Sequence, residues 1–402
     1  MSRWRFGPGL LAMAAFIGPG TVTACTLAGA NFGFDLVWAL AFATVATIVL
    51  QDMTARLGAG GRLGLGEALM KKMSGPVRKV GVGLLVFLAL FLGNSAYEGG
   101  NLTGAALGLE AVFGPVGPQR WVWLVGLAAL AAGTILIGRY AVLERLLIGL
   151  VMLMTGAFLV AALVIRPDLR DIAEGLVPRL PSGAGLTAMA LVGTTIVPYN
   201  LFLHAAAVKQ KWPDGQGVMA ARRDAAISIG LGGLVSIMIL STAAAALFGR
   251  AIEIRSAAEM ALAIEPVFGA SARYLLGLGL FAAGLTSAIT APVATAYAMT
   301  EVIGGTRGQD PRVFRLIALS VVLIGVLVGL TGVRPILLIL VAQLANGLLL
   351  PITALFLLYV MNQSALLGSY RNSLAANIAG GGVICLTLVL GARSLLGAAG
   401  LI

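Results

Sequence analysis

Ile17-Gly18-Pro19-Gly20-Thr21 falls in the middle of the first apolar segment of the chain. A second proline interruption, Ile196-Val197-Pro198-Tyr199-Asn200, falls in the middle of the sixth. Proline has no amide proton and drives the residue before it out of the helical region. In hydrocarbon, the backbone groups freed by such a break are tolerated only where protein or a wet cavity satisfies them. Two broken helices five segments apart are a pointer to the cargo site of a transporter built from inverted repeats. Ordinary proline kinks in packed membrane helices would place the same two prolines. The residues that accompany them therefore have to decide.

The composition fits a chain embedded in a bilayer. Of 402 residues, 59% are hydrophobic and 11% are charged, against roughly 25% charged in an average soluble protein. The 54 glycines suit helices that approach closely through small residues. The net charge of +11 comes from basic residues scattered singly between apolar runs, a pattern of membrane orientation and not of nucleic-acid binding. Cys25 and Cys385 both lie in apolar segments and read as small buried hydrophobes, not as a disulfide or metal pair. Arg3 and Arg5 precede an apolar run that continues too far for a signal peptide. It reads as a membrane span, with no soluble domain at either end.

Crossing the hydrocarbon core takes about 20 apolar residues. The sequence offers eleven such segments: 8–29, 34–57, 77–109, 119–138, 144–166, 185–209, 225–249, 271–303, 313–333, 335–361 and 374–396. Segments 77–109 and 271–303 exceed one span and imply tilt or extension beyond the bilayer. Connections on the N-terminal side of the membrane carry eighteen of the 27 Lys and Arg. That excess predicts an N-terminus in the cytoplasm and a C-terminus outside. The expected architecture is an all-α polytopic membrane protein forming one domain over 1–402. Helices one to five (8–166) and six to ten (185–361) would be inverted repeats with broken helices one and six, and an extra helix would follow at 374–402.

Polar residues inside the spans are few. Glu98 is the acidic residue placed deepest, with Asn94, Tyr97 and Asn101 on or near one helical face. An ionisable group at that depth is expensive enough to be a functional hypothesis by default, and a proton carrier is the natural role. A structural glutamate hydrogen-bonded between helices is the alternative. His204, the one histidine, lies a turn beyond Asn200. It reads equally as a proton relay or as a satisfied core histidine. A single histidine without a cysteine cluster excludes a conventional zinc site. Thr21, Thr23, Thr194, Thr195, Tyr199 and Asn200 gather at the two breaks, and Gln343 and Asn346 sit at helical spacing in the tenth segment. No nucleotide-binding glycine motif and no serine–histidine–acid set suggests an enzyme. No cofactor is implied.

Pro198-Tyr199-Asn200-Leu201-Phe202-Leu203-His204 resembles the Met-Pro-His-Asn-Leu-Tyr-Leu-His run of the NRAMP family, the proton-coupled divalent-metal transporters. Ala28-Gly29-Ala30-Asn31-Phe32-Gly33, Leu50-Gln51, Ala55-Arg56-Leu57-Gly58 and Gly104-Ala105-Ala106-Leu107-Gly108 extend the resemblance over nearly the whole chain. It implies the leucine-transporter-type fold with alternating access. The expected location is a bacterial inner (plasma) membrane, with a monomer as the expected unit. The resemblance also implies a substrate site at Gly18, Thr21, Thr194, Val197, Tyr199, Asn200 and Gln343. The proton route it implies runs through Glu98, Asn101, His204 and Arg315.

The chain departs from the family at the metal site. The family's Asp-Pro-Gly-Asn is Gly18-Pro19-Gly20-Thr21 here, and its metal-binding methionine is Val197. A carboxylate supplies charge for any divalent cation and a thioether favours the softer ones. Without either, Mn²⁺ or Fe²⁺ transport by the family mechanism is not expected. Two cargoes remain: a hard or hydrated cation such as Mg²⁺, which usually keeps several waters, and a small organic solute or zwitterion held by helix ends. A non-transporting sensor on the same scaffold is a third reading, weakened by the lack of an effector domain.

Overall fold

The computed structural model describes residues 8–9, 17–73, 75–114, 120–138, 141–212, 217–250, 252–304 and 310–399. Among these, every regular element is helical. Ten helices are long and apolar enough to cross a membrane. The first expected segment, 8–29, is described mainly from Ile17 onward, and 10–16 lie outside the described residues.

The principal helices are α1 (Pro19–Phe32), α2 (Val37–Ala55), α3 (Leu65–Lys72), α4 (Pro76–Val86), α5 (Gly93–Phe113), α6 (Arg120–Ile137) and α7 (Ala141–Ile165). They continue with α8 (Gly185–Thr195), α9 (Pro198–Lys211), α10 (Val218–Leu247), α11 (Ala272–Gly304), α12 (Pro311–Gly329), α13 (Pro335–Met361) and α14 (Leu374–Ala398). Local chemistry sets several starts. Asp310 accepts the Arg312 N–H at 2.8 Å ahead of Pro311, and Ser373 accepts the Ala376 N–H at 3.2 Å. Both are ordinary N-caps, and a proline in the first turn sacrifices no helical hydrogen bond.

The long segments behave as their lengths require. α4 runs through a π-helical turn at Phe87–Leu92 into α5, giving one continuous span from Lys79 to Phe113. The span containing α11 extends from Glu265 to Ile303. One boundary moves: the seventh helix begins at Val218, not at 225. Its added first turns carry charged residues that have partners, since Arg222 is paired with Asp52 and Asp224 accepts the Gly9 N–H at 2.7 Å. The expectation for cysteine holds for Cys25, which is buried, and fails for Cys385, which is exposed. Position 385 lies on the outer face of α14, where a small apolar side chain can meet lipid as well as protein.

α5 and α11 are the central pair, and α5 also packs on α12 and α13. Their closeness depends on missing side chains: a Cβ on Gly277 of α11 would come within 2.8 Å of the Gly108 carbonyl of α5. On the other side, α1 and α2 pack against α10. The two breaks lie between these groups.

Candidate functional site

Both breaks have the form that their prolines dictate. Gly18 is extended (φ −104°, ψ −176°) and Pro19 begins α1. α8 ends at Thr195, and Ile196 and Val197 are non-helical (ψ 80° and 121°). Pro198 then begins α9. The N-terminal ends of two half-helices and the C-terminal end of a third thus converge in the interior. Such ends present unpaired N–H groups and carbonyls respectively.

The hydroxyls of Thr21 and Thr194 lie 2.7 Å apart, a hydrogen bond across 173 residues of sequence that ties one break to the other. Beside each threonine stands a glycine, and α13 lies on both glycines. A Cβ on Gly20 would overlap the amide of Gln343, and one on Gly193 would overlap the Gln343 backbone carbonyl. Gln343 is therefore the residue of α13 that meets both broken helices. Its Oε1 and the Asn346 Nδ2 are buried without a hydrogen-bond partner among the described residues. Val197 and Tyr199 are fully buried, and the Tyr199 ring lies 6.1 Å from that of Tyr97 on α5. Gly18 faces Tyr97 and Ser287 of α11.

All seven residues expected at the substrate site, Gly18, Thr21, Thr194, Val197, Tyr199, Asn200 and Gln343, are located at or against the two breaks. Their side chains are neutral.

The residues of the expected proton route divide into three places. Glu98 is fully buried on α5, with one carboxylate oxygen accepting from Asn101 Nδ2 at 3.3 Å and the other unpartnered among the described residues. It packs on Gly325 of α12, where a Cβ would come within 2.8 Å of the Glu98 Cβ. His204 lies elsewhere, between α9 and α2. Its Nδ1 is 2.7 Å from the Thr54 hydroxyl, which in turn reaches Gln51 Oε1 at 3.0 Å. Gln51 Nε2 donates to the Asn200 carbonyl at 3.5 Å, linking this chain of groups back to the second break. Arg315 stands apart. It is exposed near the start of α12, ten residues from Gly325 and thus about 15 Å along the axis from Glu98.

Sequence reasoning passed over Ser287, because a lone serine in an apolar helix looks like any other. It also passed over a charged group at the far end of α9 and α11. There Lys209 pairs with Glu67 of α3 at 2.6 Å, and Glu301 of α11 accepts the Gly66 N–H at 3.1 Å. Three charges near segment ends, far apart in sequence, carry no signal of their meeting.

A family model for natural resistance-associated macrophage protein-like proteins matches residues 9–397. The divalent metal cation transporter MntH of Yersinia pestis (strain Pestoides F) is 29% identical over 296 residues, 72% of this chain and 70% of that protein. Among solved structures, a manganese transporter of Eremococcus coleocola superposes with a TM-score of 0.79 at 20% identity. The match covers 98% of this chain and 87% of that one. MhsT, solved with L-phenylalanine, superposes with a TM-score of 0.62 at 14% identity, covering 98% of each chain. The two solved structures carry the fold, an all-helical leucine-transporter-type membrane architecture with helices one and six broken. From the match over 9–397, together with that fold, the chain belongs to the NRAMP family of integral membrane transporters.

Proposed function

We propose that the protein is a secondary active transporter working by alternating access, which carries a hard divalent cation of the Mg²⁺ kind together with part of its hydration shell. Proton movement is linked to transport through Glu98. In this reading the N-terminus is cytoplasmic and the C-terminus lies outside, in a bacterial inner membrane.

The observation that carries the proposal is the chemistry of the seam joined by Thr21 and Thr194. Its groups are hydroxyls, amides and helix ends, and the described residues hold no cluster of three or more His, Cys, Asp or Glu suited to a metal ion. Soft ions are selected by thiolate or thioether ligands, which this seam lacks. Mg²⁺ dehydrates reluctantly and is commonly held through its waters. Metal-bound waters are donors, and the Gln343 Oε1 is free to accept from them. The relatives named as divalent metal cation and manganese transporters favour a divalent cargo. Glu98, with one oxygen unpartnered, is the carboxylate available to exchange a proton on α5.

One observation favours a second reading, a small zwitterion. The starts of α1 and α9 and the end of α8 offer complementary partial charges, suited to a carboxylate and an ammonium without any charged side chain. The structural neighbour solved with L-phenylalanine shares this architecture.

Uptake into proteoliposomes of Mg²⁺, Mn²⁺ and a panel of amino acids, each with and without a pH gradient, separates the readings. Saturable Mg²⁺ uptake that responds to the gradient is expected. Robust Mn²⁺ uptake would defeat the argument from the missing ligands, and amino-acid uptake alone would establish the second reading.

A further inference from the structure

α11 carries five serine and threonine hydroxyls on its long apolar stretch, and four are spent on their own helix. Thr286, Thr290, Thr295 and Thr300 donate to the carbonyls of Ala282, Thr286, Ala291 and Ala296 at 2.7–2.9 Å. This back-bonding is the ordinary way for a hydroxyl to be satisfied within a membrane helix. Ser287 is the exception. It is 2% exposed, and no described residue accepts a hydrogen bond from it. Its Oγ is aimed at the first break, where a Cβ built on Gly18 would lie 3.1 Å from it. The Tyr97 hydroxyl would lie 3.7 Å from the same point. Gly18 thus has two hydroxyls beside it, from α11 and α5. Neither helix contributes to the breaks themselves.

We propose that Ser287 lines the cargo site and is a specificity-determining residue, its hydroxyl accepting a hydrogen bond from a water of the bound cation's hydration shell beside Gly18. The cargo in this statement rests on the reading under Proposed function. The placement of Ser287 on the cargo path does not. The ordinary partner of a hydroxyl in a membrane helix, a carbonyl one turn back, goes unused here. A neutral oxygen at this point suits the water of a hydrated dication, because a metal-bound water is a strengthened donor. It also penalises a bare soft ion, which gains nothing from one alcohol in place of a carboxylate or thioether.

The test uses the full-length protein in proteoliposomes, with Cys25→Ala and Cys385→Ala removing the native thiols. Into this background go S287C and, as a buried control on the same helix, T295C. A small cationic methanethiosulfonate is expected to modify S287C and not T295C, and Mg²⁺ is expected to slow the reaction. In parallel, S287A should raise the KM for Mg²⁺ by about fivefold to tenfold, the effect of one ordinary hydrogen bond. Its kcat should stay close to the parent value, and S287T should restore the parent KM. A role in packing alone would lower yield or kcat without this split. An unreactive S287C, or an unchanged KM in S287A, overturns the proposal. Modification of S287C that Mg²⁺ does not slow, in a protein that takes up no Mg²⁺, rejects the Mg²⁺ reading and supports the lining role.

Discussion

The seam at the two breaks and the charged ends of the helices around Arg56 and Lys209 are built on opposite principles. At the seam, Thr21, Thr194, Tyr199 and Gln343 are neutral, and Gln343 has hydrogen-bonding capacity to spare. Around Arg56 and Lys209, charge is concentrated and paired. Arg56, only 8% exposed, donates to Asp52 at 2.9 Å, to the Tyr370 and Arg371 carbonyls at 2.9 and 3.3 Å, and to Asn372 Oδ1 at 2.8 Å. Asp52 also pairs with Arg222, and Lys209 with Glu67. A charge held by so many partners fixes the position of an element, whereas spare neutral groups leave room for a guest. Arg56 sits where α2 passes into a π-helical turn, Arg56–Gly60, and its bonds tie that turn to the connection before α14. The ion pairs hold elements in place, and the neutral seam is the part to which the proposed function assigns the cargo.

Four variants would break or sharpen this contrast. The largest change should come from charging the seam: Gly18→Asp combined with Val197→Met should create transition-metal binding, detectable by calorimetry with Mn²⁺. The new Cβ would lie 3.1 Å from Ser287 Oγ, so the serine must turn by a few tenths of an ångström. No gain in binding would count against the residue correspondence. Next, Glu98→Gln should abolish substrate-driven acidification in proteoliposomes while leaving cargo binding measurable. Unchanged acidification would remove Glu98 from proton movement.

Arg56→Met addresses the scaffold. It removes one of the two partners of Asp52 and leaves the Asn372 Oδ1 and two carbonyls without their donor, and breaking a buried charged network typically costs about 3–5 kcal/mol. A clear fall in Tm in detergent is expected, with the cargo KM unchanged among molecules that stay folded. The smallest effect belongs to Lys209→Met. Its side chain is 40% exposed, and such pairs contribute about 0.2–1 kcal/mol. Thermal stability should barely move, and a large fall would mean that the Lys209–Glu67 cluster does more than hold α3 in place.

The sequence made the architecture readable because a bilayer imposes its thickness. Runs such as 335–361 can end only where their apolar residues do, and α13 spans that very range. The breaks were readable because Pro19 and Pro198 cannot be helix-interior residues without consequence. Pairings across the fold were not readable. Nothing in Thr21 announces Thr194 as its partner, and Arg56 looks like any basic residue at the end of a span until Asn372 is brought beside it. Ser287 was hidden for the same reason. Its meaning lies in the bond it does not make to its own helix, which only the packing of α11 against Gly18 exposes.

The two glycines under Gln343 have a practical consequence for anyone seeking to redirect this transporter. At Gly193 the obstacle to a side chain is the backbone of α13 itself, which no rotamer change can relieve. At Gly20 it is the Gln343 amide, which any added carbon would displace. A combinatorial library aimed at new cargo should therefore hold positions 20 and 193 constant and randomise 18, 21, 194, 197 and 287. Diversity would then fall on the walls of the chamber, and the door would still shut.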